Sequence, residues 1–214
     1  MALNKLKFNS INVTPAASEA IRFNSSANGL ETASAGGNLV KIASTTASSS
    51  ASVSFTSGID STYKEYIFYF NNIHPATDNI TFQFNLSTDS GSNYNVTKTT
   101  TYFHATHLEN DANTLFGYDA SEDLAQSTSY QDLAINVGND NDQGCSGYFH
   151  LFEPSSTTFV KHFMANFNTY HKADYSVNEF IAGYGNTTSA INAIDFKFAS
   201  GNIDSGTITM YGVL

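Results

Sequence analysis

The sequence predicts an all-β fold: an antiparallel two-sheet sandwich, jelly-roll-like, with an extended N-terminal arm. Three observations carry that expectation. From Val53 onward apolar and polar residues alternate with period two, the pattern of a sheet with one buried and one wet face. The alternating runs are short and are separated by turn chemistry such as Ser57-Gly-Ile-Asp60, Asp89-Ser-Gly-Ser-Asn93 and Gly138-Asn-Asp-Asn-Asp-Gln-Gly144. No segment keeps a helical period over three turns, and many short strands in one domain point to a sandwich.

Taken in order, residues 1–50 read as an arm or anchor followed by a linker, and residues 51–214 as the β-sandwich domain. Lys5, Lys7 and Arg22 fall in the first part, which ends in a Ser/Thr/Ala-rich stretch from Ser44 to Ser54 with little apolar surface to bury. Thr14 as N-cap and Pro15 at the first helical position predict a two-turn helix reaching Phe23. Asn79–Leu86 is the clearest strand, with Ile80, Phe82, Phe84 and Leu86 on one face and Thr81, Gln83 and Asn85 on the other. Phe159–Thr169 alternates similarly, and Lys161 within it predicts a strand end near solvent. Tyr66–Phe70 and Tyr148–Phe152 are apolar on both faces, as expected of strands buried between layers or at a subunit contact. Further strands are expected at Leu39–Ile42, Val53–Phe55, Thr97–His104, Asp132–Val137, Val177–Tyr184, Ala193–Phe198 and Thr207–Val213.

Ser, Thr and Asn supply 72 of 214 residues, so the polar surface is built from hydroxyls and amides rather than from charges. The 17 Phe and 12 Tyr provide ample apolar area for a core. A net charge of −10 with a single arginine, Arg22, argues against nucleic-acid partners and anionic membranes, both of which need clustered cations. One cysteine, Cys145, excludes an intramolecular cystine framework. No apolar run is long enough to span a bilayer and the first residues lack the apolar core of a secretory signal, so synthesis in a cytosol is expected.

Residues 99–160 carry nine carboxylates and no Lys or Arg. Their sharpest cluster is Asn139-Asp140-Asn141-Asp142-Gln143-Gly144, whose hard oxygens suit calcium. The loop lacks the third alternating oxygen and the closing Glu of an EF-hand, Leu151 standing at that place. Two readings stay open: a calcium site on Asp140 and Asp142, or a solvated strand connection. Six histidines do not form a tetrahedral set, since His104 and His107 fall on opposite faces of a strand. No nucleophile elbow, P-loop or dinucleotide fingerprint occurs, and neither an enzyme nor a cofactor other than calcium is expected. Tyr94, Tyr102, Tyr118, Tyr130, Tyr170, Tyr175 and Tyr184 are either half-buried sheet residues or platforms for sugar rings.

Met1-Ala-Leu-Asn-Lys-Leu-Lys-Phe8, the segment Phe55–Phe68 leading into Asn72-Ile-His-Pro-Ala-Thr77, and Ile203–Gly212 together resemble structural proteins of tailed phages of marine bacteria. The resemblance implies a virion component of decoration, fibre or tail-accessory type without catalytic residues. It also implies other virion proteins (capsid or tail) as partners and assembly as a homotrimer, with the arm docking on the particle. The alternative expectation is a receptor-binding tail-fibre domain that recognises host-surface glycan.

Overall fold

The computed structural model describes residues 19–24, 26, 28–34 and 38–214, and the chain divides into two compact units, Met1–Asn38 and Leu39–Leu214. In the first unit β1 (Glu19–Phe23) and β2 (Leu30–Ser34) form an antiparallel hairpin. Arg22 lies opposite Glu31, its Nε 3.0 Å from the carboxylate. Glu19–Phe23 is therefore a strand where a helix was expected, because Arg22 and its neighbours find ladder partners in residues 30–34. Thr14 and Pro15 lie outside the described residues.

The second unit contains β3 (Leu39–Ser50), β4 (Val53–Phe55), β5 (Glu65–Pro75), β6 (Ile80–Ser87), β7 (Lys98–Leu108) and β8 (Thr114–Tyr118). They are followed by β9 (Gln131–Val137), β10 (Cys145–Phe152), β11 (Lys161–His171), β12 (Tyr175–Gly185), β13 (Ala193–Phe198) and β14 (Ile203–Val213). All twelve belong to one antiparallel sheet, in the order β3-β14-β5-β10-β11-β9-β6-β13-β4, with β12, β7 and β8 branching from β11. This corrects the two-sheet, jelly-roll-like sandwich: the fold is all-β, but a single sheet nearly closes into a barrel. Its continuity depends on β11. Once β10 has ended opposite Thr169, the next bridge, His171 to Val137, hands the ladder to β9. The two ends of the path, β3 and β4, are joined by a short connection at Ala51 and Ser52.

Ser44–Ser50 belongs to β3 and so to the sheet, although its composition suggested a linker. Its hydroxyls find partners on β14: Ser44 and Thr209 share a 2.8 Å hydrogen bond, and Thr46 and Thr207 one of 3.0 Å. Cross-strand hydroxyl pairs of this kind stabilise a strand that has little to bury.

The core is aromatic. Phe68, Phe70, Phe149, Phe163 and Phe167 from β5, β10 and β11 meet Phe82, Phe84 and Phe196 from β6 and β13, all fully or almost fully buried. Phe196 has ring centroids at 4.9 Å from Phe70 and 5.5 Å from Phe68, in the tilted and edge-on arrangements that aromatic quadrupoles favour. Two lysines are also buried. Lys98 Nζ donates to Asn85 Oδ1 at 2.6 Å and to the Val96 carbonyl at 2.9 Å. Lys161 donates to the Phe159 and Thr187 carbonyls at 2.7 and 3.3 Å. Lys161 thus corrects the expected solvent-facing strand end: it is Phe159, just before β11, that projects into water.

Candidate functional site

Two features of the large unit stand apart from its packing: the outer face of the broad half of the sheet, and a polar groove at one end of that face. The face follows from register. Tyr118, Phe103, Phe180, Asn166, Tyr148, Tyr69, Thr209 and Ser44 are successive cross-strand partners on β8, β7, β12, β11, β10, β5, β14 and β3. Side chains at paired positions share a face, so these eight form one row across the sheet. Thr101, Ala182, Met164, His150 and Ile67 form the next.

The first row contains no Asp, Glu, Lys or Arg; the second continues through Tyr211 to Lys41, and its His150 is hydrogen-bonded to Glu65. Phe103 and Phe180 stack face to face at 4.9 Å, Phe116 stands 72 % exposed beside them, and Met164 is 57 % exposed. Past Met164 the face dips into an apolar cleft of about 490 Å³ walled by Phe152, Ala182 and Tyr184. Tyr69 and Tyr148, from the runs that are apolar on both faces, project outward here and are partly exposed.

The groove arises from a β-bulge. Phe70 pairs with Gly147 and Ile73 with Cys145, so β5 carries one residue more than β10 across this interval, and its pairing with β14 shifts around Ser205. Asn72 absorbs the extra residue with φ of 49°, a left-handed conformation that Asn tolerates better than most residues. Opposite it Gly206 has φ of 119°, and a Cβ there would lie 2.5 Å from the Asn72 carbonyl oxygen. The bulged strands leave a cleft of about 580 Å³ lined by Asn72, His74, Asn141, Asp142, Ser146, Tyr170 and Asp204, among others. A second cleft of about 410 Å³, lined by His107, Glu109, Tyr175 and Ser176, shares Asn168 and Tyr170 with the first.

The Asn139–Gly144 loop forms the rim. Gln143 N–H donates to the Asp140 carbonyl at 2.8 Å, closing the turn, and His74 Nδ1 donates to the Gln143 carbonyl at 2.9 Å. Gly138 is required beneath it, since a Cβ would fall 1.8 Å from Gln143 Oε1 and 2.9 Å from Lys172 Cα. Asp142 lines the cleft, whereas the Asp140 amide is tied to Gln143 Oε1 at 3.1 Å. Among the described residues no three of His, Cys, Asp and Glu converge as a metal-binding group. Glu109 beside the Tyr170 hydroxyl, then burial and the nearby Asp174 and Asp142, pushes that hydroxyl up to about 12.

The other tyrosines distribute by face. Tyr102 is fully buried, Tyr130 donates to Asp195 Oδ2 at 3.0 Å beneath Lys197, Tyr118 is exposed on β8, and Tyr184 walls the apolar cleft. Among the described residues the buried hydroxyls of Tyr94 and Tyr102 have no hydrogen-bond partner. His104 faces inward and His107 outward, as strand geometry requires.

A polar zone lies inside, on β7, β12 and β9. His104 pairs with Glu179 across β7 and β12, and Glu179 is fully buried; burial holds its carboxyl well above the usual range. Burial and a hydrogen bond to Glu122 likewise raise Asp132, while Gln83 Nε2 donates to its Oδ1 at 2.5 Å. The sequence pattern gave no sign of this zone, because its members come from four distant segments.

Compared with protein-family models, curated proteins and solved structures, the chain matches none.

Proposed function

We propose that the protein is a virion structural subunit of the tailed-phage type, made in a host cytoplasm and carried on the particle surface as a capsid decoration or fibre component. Its action is assembly rather than catalysis, with other virion proteins and further copies of itself as partners. The observation that carries this reading is the row of Tyr118, Phe103, Phe180, Tyr148 and Tyr69 spanning β8 to β5, which holds no Asp, Glu, Lys or Arg. A monomer rarely leaves so many aromatic side chains side by side in water. For a chain of net charge −10, copies repel one another least where carboxylates are few; the first row holds none, and Glu65 and Asp123, hydrogen-bonded to His150 and Tyr118, border the face. A closed homotrimer would cover one such face per copy. Residues before Leu39, a separate compact unit, are the segment proposed to dock on the particle.

Sedimentation velocity of the purified chain tests the assembly step. A trimer at micromolar concentration is expected, with Phe180→Asp and Met164→Asp shifting it to monomer while the circular dichroism of the fold is retained. A monomeric wild-type chain would overturn self-assembly. Deleting residues 2–38 tests docking through incorporation into particles, and unchanged incorporation would remove the arm's role.

Recognition of host-surface glycan by the same subunit, as a receptor-binding fibre domain, is the second reading, favoured by the polar groove that Tyr170 divides.

A further inference from the structure

We infer that the groove running from Asn72 and Asp204, past Tyr170, to Glu109 and Tyr175 binds an uncharged glycan, with a sugar ring laid against Tyr170. The inference rests on the second reading above and adds to it the site and the class of sugar.

Shape is the first support. The two clefts, about 580 and about 410 Å³, meet at Asn168 and Tyr170, so they form one channel with a waist. Each is within the roughly 300–1,000 Å³ of small-ligand sites. A linear oligosaccharide suits such a channel, one ring on each side of the waist. The waist residue is a half-buried tyrosine with Glu109 beside its hydroxyl, an amphipathic ring of the kind that packs against the C–H face of a sugar.

Chemistry is the second support. Asn72, Asn141 and Asn168 offer amides that both donate and accept, and Asp142 and Asp204 offer paired acceptor oxygens. Sugar hydroxyls donate and accept at adjacent carbons, so they match this mixture. An anionic ligand does not. The lining residues include no Lys or Arg, whereas the carboxylates of Glu109, Asp142 and Asp204 are among them. Sialylated, uronic or sulfated sugars would meet like charge. A bound cation is disfavoured as well, because the carboxylates do not converge among the described residues.

Preorganisation is the third. The rim loop is braced by the His74–Gln143 and Asp140–Gln143 hydrogen bonds, and the floor by the Asn72 amide, which donates to Ser146 Oγ at 2.9 Å. A ligand therefore does not have to order these backbone segments on binding.

The test is a glycan array of neutral and acidic sugars, followed by titration calorimetry of the strongest neutral oligosaccharide against the full chain and its Tyr170→Ala and Asn141→Ala variants. Neutral glycans are expected to bind in preference to acidic ones. Tyr170→Ala is expected to weaken binding at least about tenfold and Asn141→Ala, at an exposed rim position, several-fold. Thermal unfolding of each variant shows that the fold persists, and Asn141→Ala keeps the test valid should Tyr170→Ala fail to fold. An array without any bound glycan overturns both the second reading and the groove assignment. Equal affinity in wild type and variants overturns the groove alone and leaves glycan recognition standing elsewhere. A preference for acidic glycans overturns the class of ligand.

Discussion

Glu179 on β12 and Ile135 on β9 are joined across the seam of the sheet, Glu179 Oε1 accepting the Ile135 amide at 3.3 Å. The seam needs this bond because β9 meets β11 at a single bridge, and β9 itself bulges nearby, with Asn136 at φ of 50°. Thr169 Oγ1 holds the second carboxyl oxygen at 3.2 Å. A side chain thus supplies an acceptor that the ladder lacks.

Glu179→Ala leaves the Ile135 amide and the Thr169 hydroxyl unpaired and opens a cavity, a loss of about 2–4 kcal/mol in urea unfolding. Glu179→Gln presents the same oxygen to Ile135 and an amide to the Thr169 hydroxyl, which can turn to accept. It is expected to cost less than about 1 kcal/mol. Equal losses for the two substitutions would refute the bridging role.

Asp132 gives the seam region a pH signature. Its folded-state pKa is raised by burial and by Glu122, so the native state keeps a proton that the unfolded chain releases above about pH 4. Stability is therefore fullest in acid and declines as pH climbs from there through the raised value. Urea midpoints measured at about pH 5 and about pH 8 should fall, and Asp132→Asn should flatten the decline. A slope unchanged by the substitution would show that Asp132 is an ordinary carboxylate.

Lys98 acts in the opposite direction. Burial lowers its ammonium to about 7, so above that the native state is neutral while the unfolded chain still binds a proton. Its contribution makes stability rise from about pH 7 toward the ordinary lysine value near 10.4. Lys98→Met should abolish that alkaline gain, on the order of a few kcal/mol, as followed by chemical denaturation up to about pH 9.

Cys145 is buried at the start of β10, and burial, with Glu179 near, keeps its thiol well above the ordinary value. Labelling by a thiol reagent should be negligible in the native protein and rise with denaturant in step with global unfolding. Rapid labelling of native protein would show that the floor of the groove opens locally.

Much of the strand pattern was legible in the sequence, because Phe82 and Phe84 alternate with Thr81 and Gln83 wherever one face is dry. Ala193–Phe198 was legible to the residue as β13. What could not be read depends on partners far along the chain. Ser44–Ser50 has no apolar period and becomes a strand only beside the hydroxyls of β14. Lys161 looks like a surface residue until the Thr187 carbonyl is brought beside it. One sheet rather than two depends on the contact between His171 and Val137, which leaves no mark on periodicity. β8 escaped notice because it is only five residues long and Leu115 and Phe116 are adjacent, so apolar residues fall on both faces and no alternation shows. For the groove, the Asn139–Gly144 loop stood out by composition. Asn72, Asp204 and Glu109 did not, since the β5 bulge brings the first two together and the β7–β12 pairing places the third.

The place of β14 sets a condition on biosynthesis. It lies between β3 and β5, pairing with both along most of its length, so β3 has no ladder partner, and β5 only β10, until residues 203–213 have left the ribosome. Most contacts within the chain are long-range in sequence, which makes for slow folding and a long interval with bare strand edges. The hydroxyl-rich β3 is well suited to that interval: a waiting edge of Ser and Thr is wetted by water and is a poor template for aggregation.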